Sequence, residues 1–465
     1  MALLVLPWVH PWAPGPQPNT VPLLISWACV ATLMALSRWP SPAELARAWA
    51  WAALISSAIG LVQYFGMADH FGGWVHLPAS FGEAMGNLRQ RNQLATHLGI
   101  GIAAVLWWHR QGLRTAHALW MLALLACATA ATNSRTGLLQ MLVLPALLAG
   151  WAWNSPSGSR APSWRLALWT LLVYLLASGA LPQLLAGQTG TQSSNALVRM
   201  GESYGCGSRK ILWANVLQLI AQKPWTGWGW GELKYAHYMA SYPGERFCEI
   251  LGNAHNLPLQ LAVELGVPLT LTALLGLLAL LWRARPWRLQ RPTDALAWGV
   301  LLPIGLHSLL EYPLWYGPFQ IAALWAAGLL WPRGQAWLQS HRQSWASLAL
   351  AGLCLIALLG WDYLRVRQIY LPAAQRTAWW QDDPWQAAQQ SWFFGDAARF
   401  AWVTSSAVTP ENAQRMRQTS EAMLHYSPEP RVVDKLIESA RLTGHDAQAA
   451  WHQRQRQVVY GSQRP

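Results

Sequence analysis

The chain has 465 residues, of which 53% are hydrophobic and only 11% charged, with a formal net charge of +13. A soluble domain carries about twice that charged fraction, so a water-soluble globular fold is excluded. The apolar residues gather into runs of about 17 to 25, the length at which a helix crosses a bilayer. The positive balance is mainly a topology signal, and nucleic acid is not an expected partner.

In chain order the candidate spans are 21–37, 43–65, 93–108, 116–131, 137–153, 166–184, 256–282, 293–311, 316–332 and 345–362, preceded by a short apolar segment at 2–9. The start lacks a basic n-region, so no cleavable signal peptide is expected. Many of the 33 Trp residues lie beside span ends, as at Trp107-Trp108, Trp151, Trp153 and Trp331, which fits interfacial anchoring. The expected class is an all-α polytopic membrane protein with about 10–12 spans. It divides into an N-terminal bundle (1–184), a long loop (185–255), a second set of spans (256–362) and a soluble helical region (363–465).

Short connectors hold His109-Arg110 and Arg114, then Arg160 and Arg165, then Arg283, Arg285, Arg288 and Arg291, then Arg333 and Arg342. The positive-inside rule makes these cytoplasmic, and stepping through the spans puts all four on one side. The opposite side, periplasmic in an organism with two membranes, receives 66–92, the Asn133-Ser134-Arg135-Thr136 turn, the loop 185–255, the Glu311–Trp315 turn and everything after about 363.

That outer side carries arginines the rule does not explain: Arg89, Arg91, Arg135 and Arg209, each abutting an apolar segment. Guanidinium groups bind phosphate oxygens through paired hydrogen bonds and stay charged, which suits a pyrophosphate head group. Snorkelling to lipid phosphates or pairing with Glu residues is the structural alternative for any one of them.

The long loop has its own organisation. A stretch rich in Gly, Gln, Ser and Thr runs from Gly187 to Ser194. Residues 209–222 then place Ile211, Leu212, Val216, Leu219 and Ile220 at helical spacing, predicting an amphipathic helix at the membrane interface, closed by Lys223-Pro224. Gly227-Trp228-Gly229-Trp230-Gly231 follows. Its glycines could let the backbone approach a ligand, or form a tight turn with lipid-anchoring Trp rings; the spacing does not match a nucleotide fingerprint. Cys206 and Cys248 both fall in this loop, where an oxidising compartment permits a disulfide, and they are predicted to be bonded. Cys29, Cys127 and Cys354 lie in apolar spans as small core residues.

His255, in Asn253-Ala254-His255-Asn256-Leu257-Pro258-Leu259-Gln260, marks the change from polar loop to apolar segment. An imidazole there can meet both a lipid-borne and a water-soluble substrate and move a proton near neutral pH, so it is the candidate general base; a helix-capping His is the alternative. Glu311 ends a span on the same face, where it could orient His255, pair with an Arg or cap a turn. His307, one helical turn earlier, reads as a satisfied interior His. After about 363 the helical segments are 371–393, 410–425, 430–442 and 445–459, with a weak similarity to tetratricopeptide hairpins. Recognition of an acceptor protein and a stabilising cap are the two uses considered for this region.

Several motifs together resemble the bacterial protein O-oligosaccharyltransferases, the pilin-glycosylating ligases of the O-antigen ligase and polymerase superfamily. They are GNLRQRNQLATH (Gly86–His97), NSRTG (Asn133–Gly137), Arg209–Trp213 with Pro224 and Gly227, HNLPLQLAVELG (His255–Gly266) and HSLLEYPLWY (His307–Tyr316). The resemblance covers nearly the whole chain and departs from the family pattern at Arg91. It implies a fold of the GT-C-like, O-antigen ligase type in the bacterial inner membrane, with the active site and C-terminal domain periplasmic. The implied activity is transfer of a preassembled glycan from undecaprenyl pyrophosphate to a Ser or Thr hydroxyl of an exported acceptor protein such as pilin, with inversion. In that scheme His255 receives or orients the hydroxyl proton, Arg209 and more weakly Arg89 and Arg135 stabilise the departing pyrophosphate, and Glu311 supports the site. No metal is needed and no cofactor is implied. An O-antigen ligase or polymerase would use the same donor with a sugar acceptor. A secondary transporter would instead place its polar residues mid-membrane in paired repeats.

Overall fold

Local capping signals set the ends of several apolar runs. In a computed structural model, which describes residues 1–154, 162–189 and 205–461, every regular element among the described residues is helical. Arg160 and the polar stretch beyond Thr189 lie outside the described residues. Helix α1 covers Ala2–Val9, α2 Thr20–Ala35, α3 Pro42–Tyr64, α4 Arg91–Arg110, α5 Thr115–Ala131, α6 Arg135–Trp153 and α7 Trp164–Thr189. The start of α3 is a capping box: the Ser41 hydroxyl accepts from Glu44 N–H, and the Glu44 carboxylate accepts from Ser41 N–H, with Pro42 at the first helical position.

Downstream come α8 (Arg209–Gln222), α9 (Leu233–Met239), α10 (Leu257–Leu265), α11 (Val267–Ala284), α12 (Pro292–Ser308), α13 (Gly317–Leu330), α14 (Pro332–Ser340) and α15 (Arg342–Arg367). The C-terminal region supplies α16 (Pro384–Gln389), α17 (Gly395–Ser405), α18 (Ala413–Tyr426), α19 (Pro430–Leu442) and α20 (Asp446–Tyr460). Among the described residues five helices, α3, α6, α7, α11 and α15, are long and apolar enough to cross a membrane, and α2, α5 and α13 are apolar but shorter. The apolar side chains of α11 point almost wholly outward, Leu269, Leu271, Leu275 and Leu280 among them, as expected of a helix whose solvent is lipid.

Three expectations need correction here. The span drawn over 256–282 is two helices, because Gly266 adopts φ +86° between α10 and α11. The segment 371–393 is mostly irregular, with two 3-10 turns at 373–375 and 378–380 and an α-helix only at 384–389, and α17 lies outside the expected segments. Trp107 and Trp151 are covered by protein rather than exposed at span ends: both are buried, and their indole N–H groups donate to the Pro292 and Pro286 carbonyls at 2.8 and 2.7 Å. Trp153 and Trp331, by contrast, are exposed at helix ends.

The contacts divide the chain into two compact units. The first comprises 1–14, 18–202 and 278–356. In it α3 packs on α4 through small residues: a Cβ on Gly101 would lie 2.3 Å from that of Ala53, so only glycine permits this approach. The second unit comprises 15–17, 203–277 and 357–465, a grouping of the long loop with the C-terminal helices that the sequence did not reveal. Its cores are one of Leu212, Val216, Leu219, Leu233, Phe247 and Val263, and another built from α18, α19 and α20 around Met416, Leu424, Val433 and Leu436.

Candidate functional site

In the second unit the loop is tied together around His255. The Ser208 hydroxyl caps α8 by accepting from Ile211 N–H, which places Arg209 at the first helical position. One turn on, Trp213 donates its indole N–H to the Ala254 carbonyl at 3.0 Å, joining the start of α8 to the residue before His255. His255 is half-buried with φ +51°, in the left-handed region, and its N–H is accepted by the Asn253 side chain at 2.7 Å. Asn256 then caps α10. Ala254 N–H donates to Gln260, whose amide donates to Glu264 at 2.8 Å. The backbone of His255 is thus held on both sides by side-chain hydrogen bonds, a preorganised placement for a reacting group.

The Gly-Trp-Gly-Trp-Gly segment packs its first glycine against the end of α10, while Gly231 faces open space. A Cβ on Gly227 would fall 2.4 Å from the Glu264 carbonyl, and one on Gly266 2.3 Å from the Trp225 carbonyl. The backbones are that close because Trp228 N–H donates to Val263, Gly229 N–H to Glu264 and Val267 N–H to Pro224, at 2.8, 3.0 and 2.7 Å. Burial raises the pKa of Glu264, while its carboxylate accepts from Gly231 N–H at 2.9 Å. Helix α8 likewise buries its apolar face, Leu212, Val216 and Leu219, in protein rather than resting on lipid. The amphipathic pattern was right, but α10 and Phe247 supply the cover.

Cys206 and Cys248 form a disulfide, Cα–Cα 5.5 Å, across a separation of 42 residues. Such a loop closure is worth about 4 kcal/mol in the chain-entropy account. Cys206→Ser is therefore expected to lower the melting temperature of the purified protein by several degrees. Adding reductant to the variant should have no further effect; an unchanged melt would remove the bond from the loop's stability.

Helix α9 is anchored by His237, buried between the Tyr242 hydroxyl, 2.7 Å from Nδ1, and the Phe247 carbonyl, 3.1 Å from Nε2. That pairing suits a neutral ring with the proton on Nε2. Burial first, and the Arg246 charge second, lower its pKa to about 3 from 6.5. Between those values the unfolded chain binds a proton that the folded chain does not, so stability present above pH 6.5 is lost as pH falls towards 3. By about pH 5 the loss is roughly 2 kcal/mol. Comparing melts of wild type and His237→Gln at about pH 7.5 and about pH 5 should show the steeper fall in the wild type; parallel falls would exclude His237 as the source.

The first unit holds the other predicted residues. Glu311 is buried, takes its place after α12 with its N–H on the His307 carbonyl at 2.7 Å, and accepts a long 3.4 Å contact from the Asn92 amide. Asn92 accepts in turn from the Ser134 hydroxyl at 2.7 Å. Three sequence motifs therefore meet in one polar chain, with Arg135 exposed at the first position of α6. Asn92 lies in the GNLRQRNQLATH motif but is not among the candidates that the sequence offers, because a neutral amide carries no chemical signature of its own.

Arg89 turns to the N-terminal segment, donating to the Ala13 and Pro11 carbonyls at 3.0 and 3.2 Å, and burial lowers its pKa. Arg91 is accounted for as the ion-pair partner of Glu83. His307 is fully buried, its Nδ1 2.8 Å from the Thr96 hydroxyl, which also accepts from Gln140 at 2.9 Å. Its Nε2 has no hydrogen-bond partner among the described residues, so it is only partly the satisfied interior His expected.

Comparison with known proteins bears on both units. Residues 118–274 match the model described as O-Antigen ligase, 84–109 that described as Protein glycosylation ligase, and 295–465 that described as Virulence factor membrane-bound polymerase, C-terminal. Over those stretches the chain is similar to O-antigen and protein glycosylation ligases. Arg135, Arg209 and His255 fall within the first match and Arg89 within the second. The chain is also 25% identical over 320 residues to a general O-oligosaccharyltransferase of Acinetobacter baylyi. That alignment takes in 67% of this chain and 55% of the relative, so the chain spans little more than half the relative's length.

Proposed function

We propose that this protein transfers a preassembled oligosaccharide from a polyprenyl pyrophosphate carrier, undecaprenyl pyrophosphate in bacteria, to a Ser or Thr hydroxyl of an exported protein such as pilin. The observation that carries this reading is the tie between Arg209's helix and the His255 turn, inside a stretch matching the ligase family. The acceptor oxygen attacks the anomeric carbon while the bond from that carbon to the pyrophosphate oxygen breaks. The pyrophosphate leaves with the electron pair, and the hydroxyl proton passes to His255, which acts as base or holds the acceptor oxygen. Arg209 stabilises the charge on the leaving group, with Arg89 and Arg135 as further phosphate ligands and Glu311 as a supporting carboxylate. A single displacement inverts the anomeric configuration, and arginine makes a metal unnecessary.

The positive connectors support an inner-membrane orientation with the His255 loop and the C-terminal helices periplasmic. The test is co-expression with a lipid-linked glycan pathway and a pilin, followed by intact-mass measurement of the pilin. A mass increase of one whole glycan is expected. Unmodified pilin with the glycan on lipid A would favour the second reading, a sugar acceptor, for which the O-antigen ligase match speaks.

A further inference from the structure

A cavity of about 570 Å³ opens in the C-terminal helices, lined by Trp385, Trp392, Phe393 and Trp402 together with Gln389, Asp396, Arg399, Arg415 and Thr419. Its volume is within the roughly 300–1,000 Å³ of small-molecule sites. The lining combines flat rings with charged and amide groups. Trp392 and Phe393 are 68% and 51% exposed, an unfavourable state for two adjacent large aromatics.

The fold fixes them there from below. Asp362 is fully buried and accepts from the Ser391 hydroxyl at 2.7 Å, from Trp392 N–H at 3.1 Å and from Phe393 N–H at 2.9 Å, while also pairing with buried Arg365. The Arg365 guanidinium lies 5.9 Å from the centre of the Trp392 ring and also donates to the Gln390 carbonyl. A buried ion pair with this many donors locks the backbone of 390–393 and presents both rings outward as a rigid platform. Elsewhere in the lining Arg415 stacks over Trp402 at 4.7 Å, and Arg399 pairs with Asp396.

We infer that this groove is a carbohydrate-binding subsite that takes part of the oligosaccharide, separate from the His255 turn. A pyranose offers an apolar C–H face, which an aromatic ring covers, and a rim of hydroxyls, which need both donors and acceptors. The groove's lining supplies both aromatic rings and Arg, Asp, Gln and Thr side chains. A lipid chain would leave those charged groups desolvated, and displacement by a peptide is the outcome that separates a polypeptide occupant in the test below. The identity of the sugar rests on the transfer reading above.

The test uses full-length His255→Ala protein in nanodiscs, so that binding is read without turnover. The probe is the free oligosaccharide released by mild acid from the host's polyprenyl pyrophosphate pool, followed by saturation-transfer NMR and titration. Trp392→Ala and Arg399→Gln, each added to His255→Ala, are expected to weaken binding at least about tenfold; both positions are surface-exposed, and the melting curve checks folding. Binding unchanged by either substitution, no binding to the His255→Ala protein, or displacement of the sugar by a pilin peptide at this groove would overturn the inference. Loss of binding in the groove variants, paired with failure of the pilin assay, would leave the groove standing and remove only the acceptor assignment.

Discussion

Replacing His255 with alanine is expected to reduce glycan transfer by at least about 100-fold, the lower range for losing a positioned acid-base group, without loss of membrane insertion or of a cooperative melt. The half-buried side chain rises from a left-handed turn that Asn253, Gln260 and Trp213 hold through backbone hydrogen bonds, so truncation beyond Cβ leaves the turn's bonds in place. Arg209→Ala should lower transfer by about 100- to 1,000-fold, as when one preorganised donor to a developing anion is removed. In-cell glycosylation of pilin, read by intact mass beside membrane-fraction abundance, checks both. Wild-type transfer by either variant would take that residue out of the mechanism.

The largest structural effect is expected from Gly227→Ala. The residue has φ +67°, which costs an alanine about 1 kcal/mol, and the added carbon would overlap the Glu264 carbonyl, which is backbone and has no side-chain freedom to yield. Relief requires separating the 224–231 strand of chain from 263–267, with loss of the Trp228–Val263, Gly229–Glu264 and Val267–Pro224 hydrogen bonds. Unmade buried bonds cost about 1–3 kcal/mol each, so a total of roughly 4 kcal/mol or more is expected. Gly231→Ala is the internal comparison: φ is +81° but the space is open, so only the conformational cost of about 1 kcal/mol applies. Thermal melts and limited proteolysis of the two purified variants should differ sharply. Equal melts would mean that the contact of Gly227 with α10's end carries no stability.

What the chain disclosed in advance follows the range of the forces involved. Helix α8 was legible almost to the residue, because Ser208 caps it and its apolar spacing is local. The caps at Asn256 and Ser41 are equally local but were not among the expectations, in which His255 was the residue weighed as a cap. The break at Gly266 was missed because the apolar run continues on both sides of it, and hydropathy does not register a backbone that must turn to meet Trp225. The region 371–393 misled for the reverse reason: its helical spacing is real, but Gln368 and Asp362 draw its backbone groups into 3-10 turns and loops.

Of the candidate site, the charged and titratable residues were named from their chemistry: His255, Arg209, Arg89, Arg135 and Glu311. Neutral participants were not, and Asn92 and Trp213 became visible only when their partners Glu311, Ser134 and Ala254 came within hydrogen-bond distance. By itself, then, the sequence determined that this is a helical membrane chain, where most of its helices begin, and which side chains carry charge, since apolar periodicity and capping act within a few residues. Tertiary structure alone decided that α8's apolar face is covered by protein, that Gly227 meets the backbone at the end of α10, and that Trp392 and Phe393 stand on a buried ion pair. Each of those depends on contact between residues distant in the chain, and burial of that kind leaves no periodic trace in either segment alone.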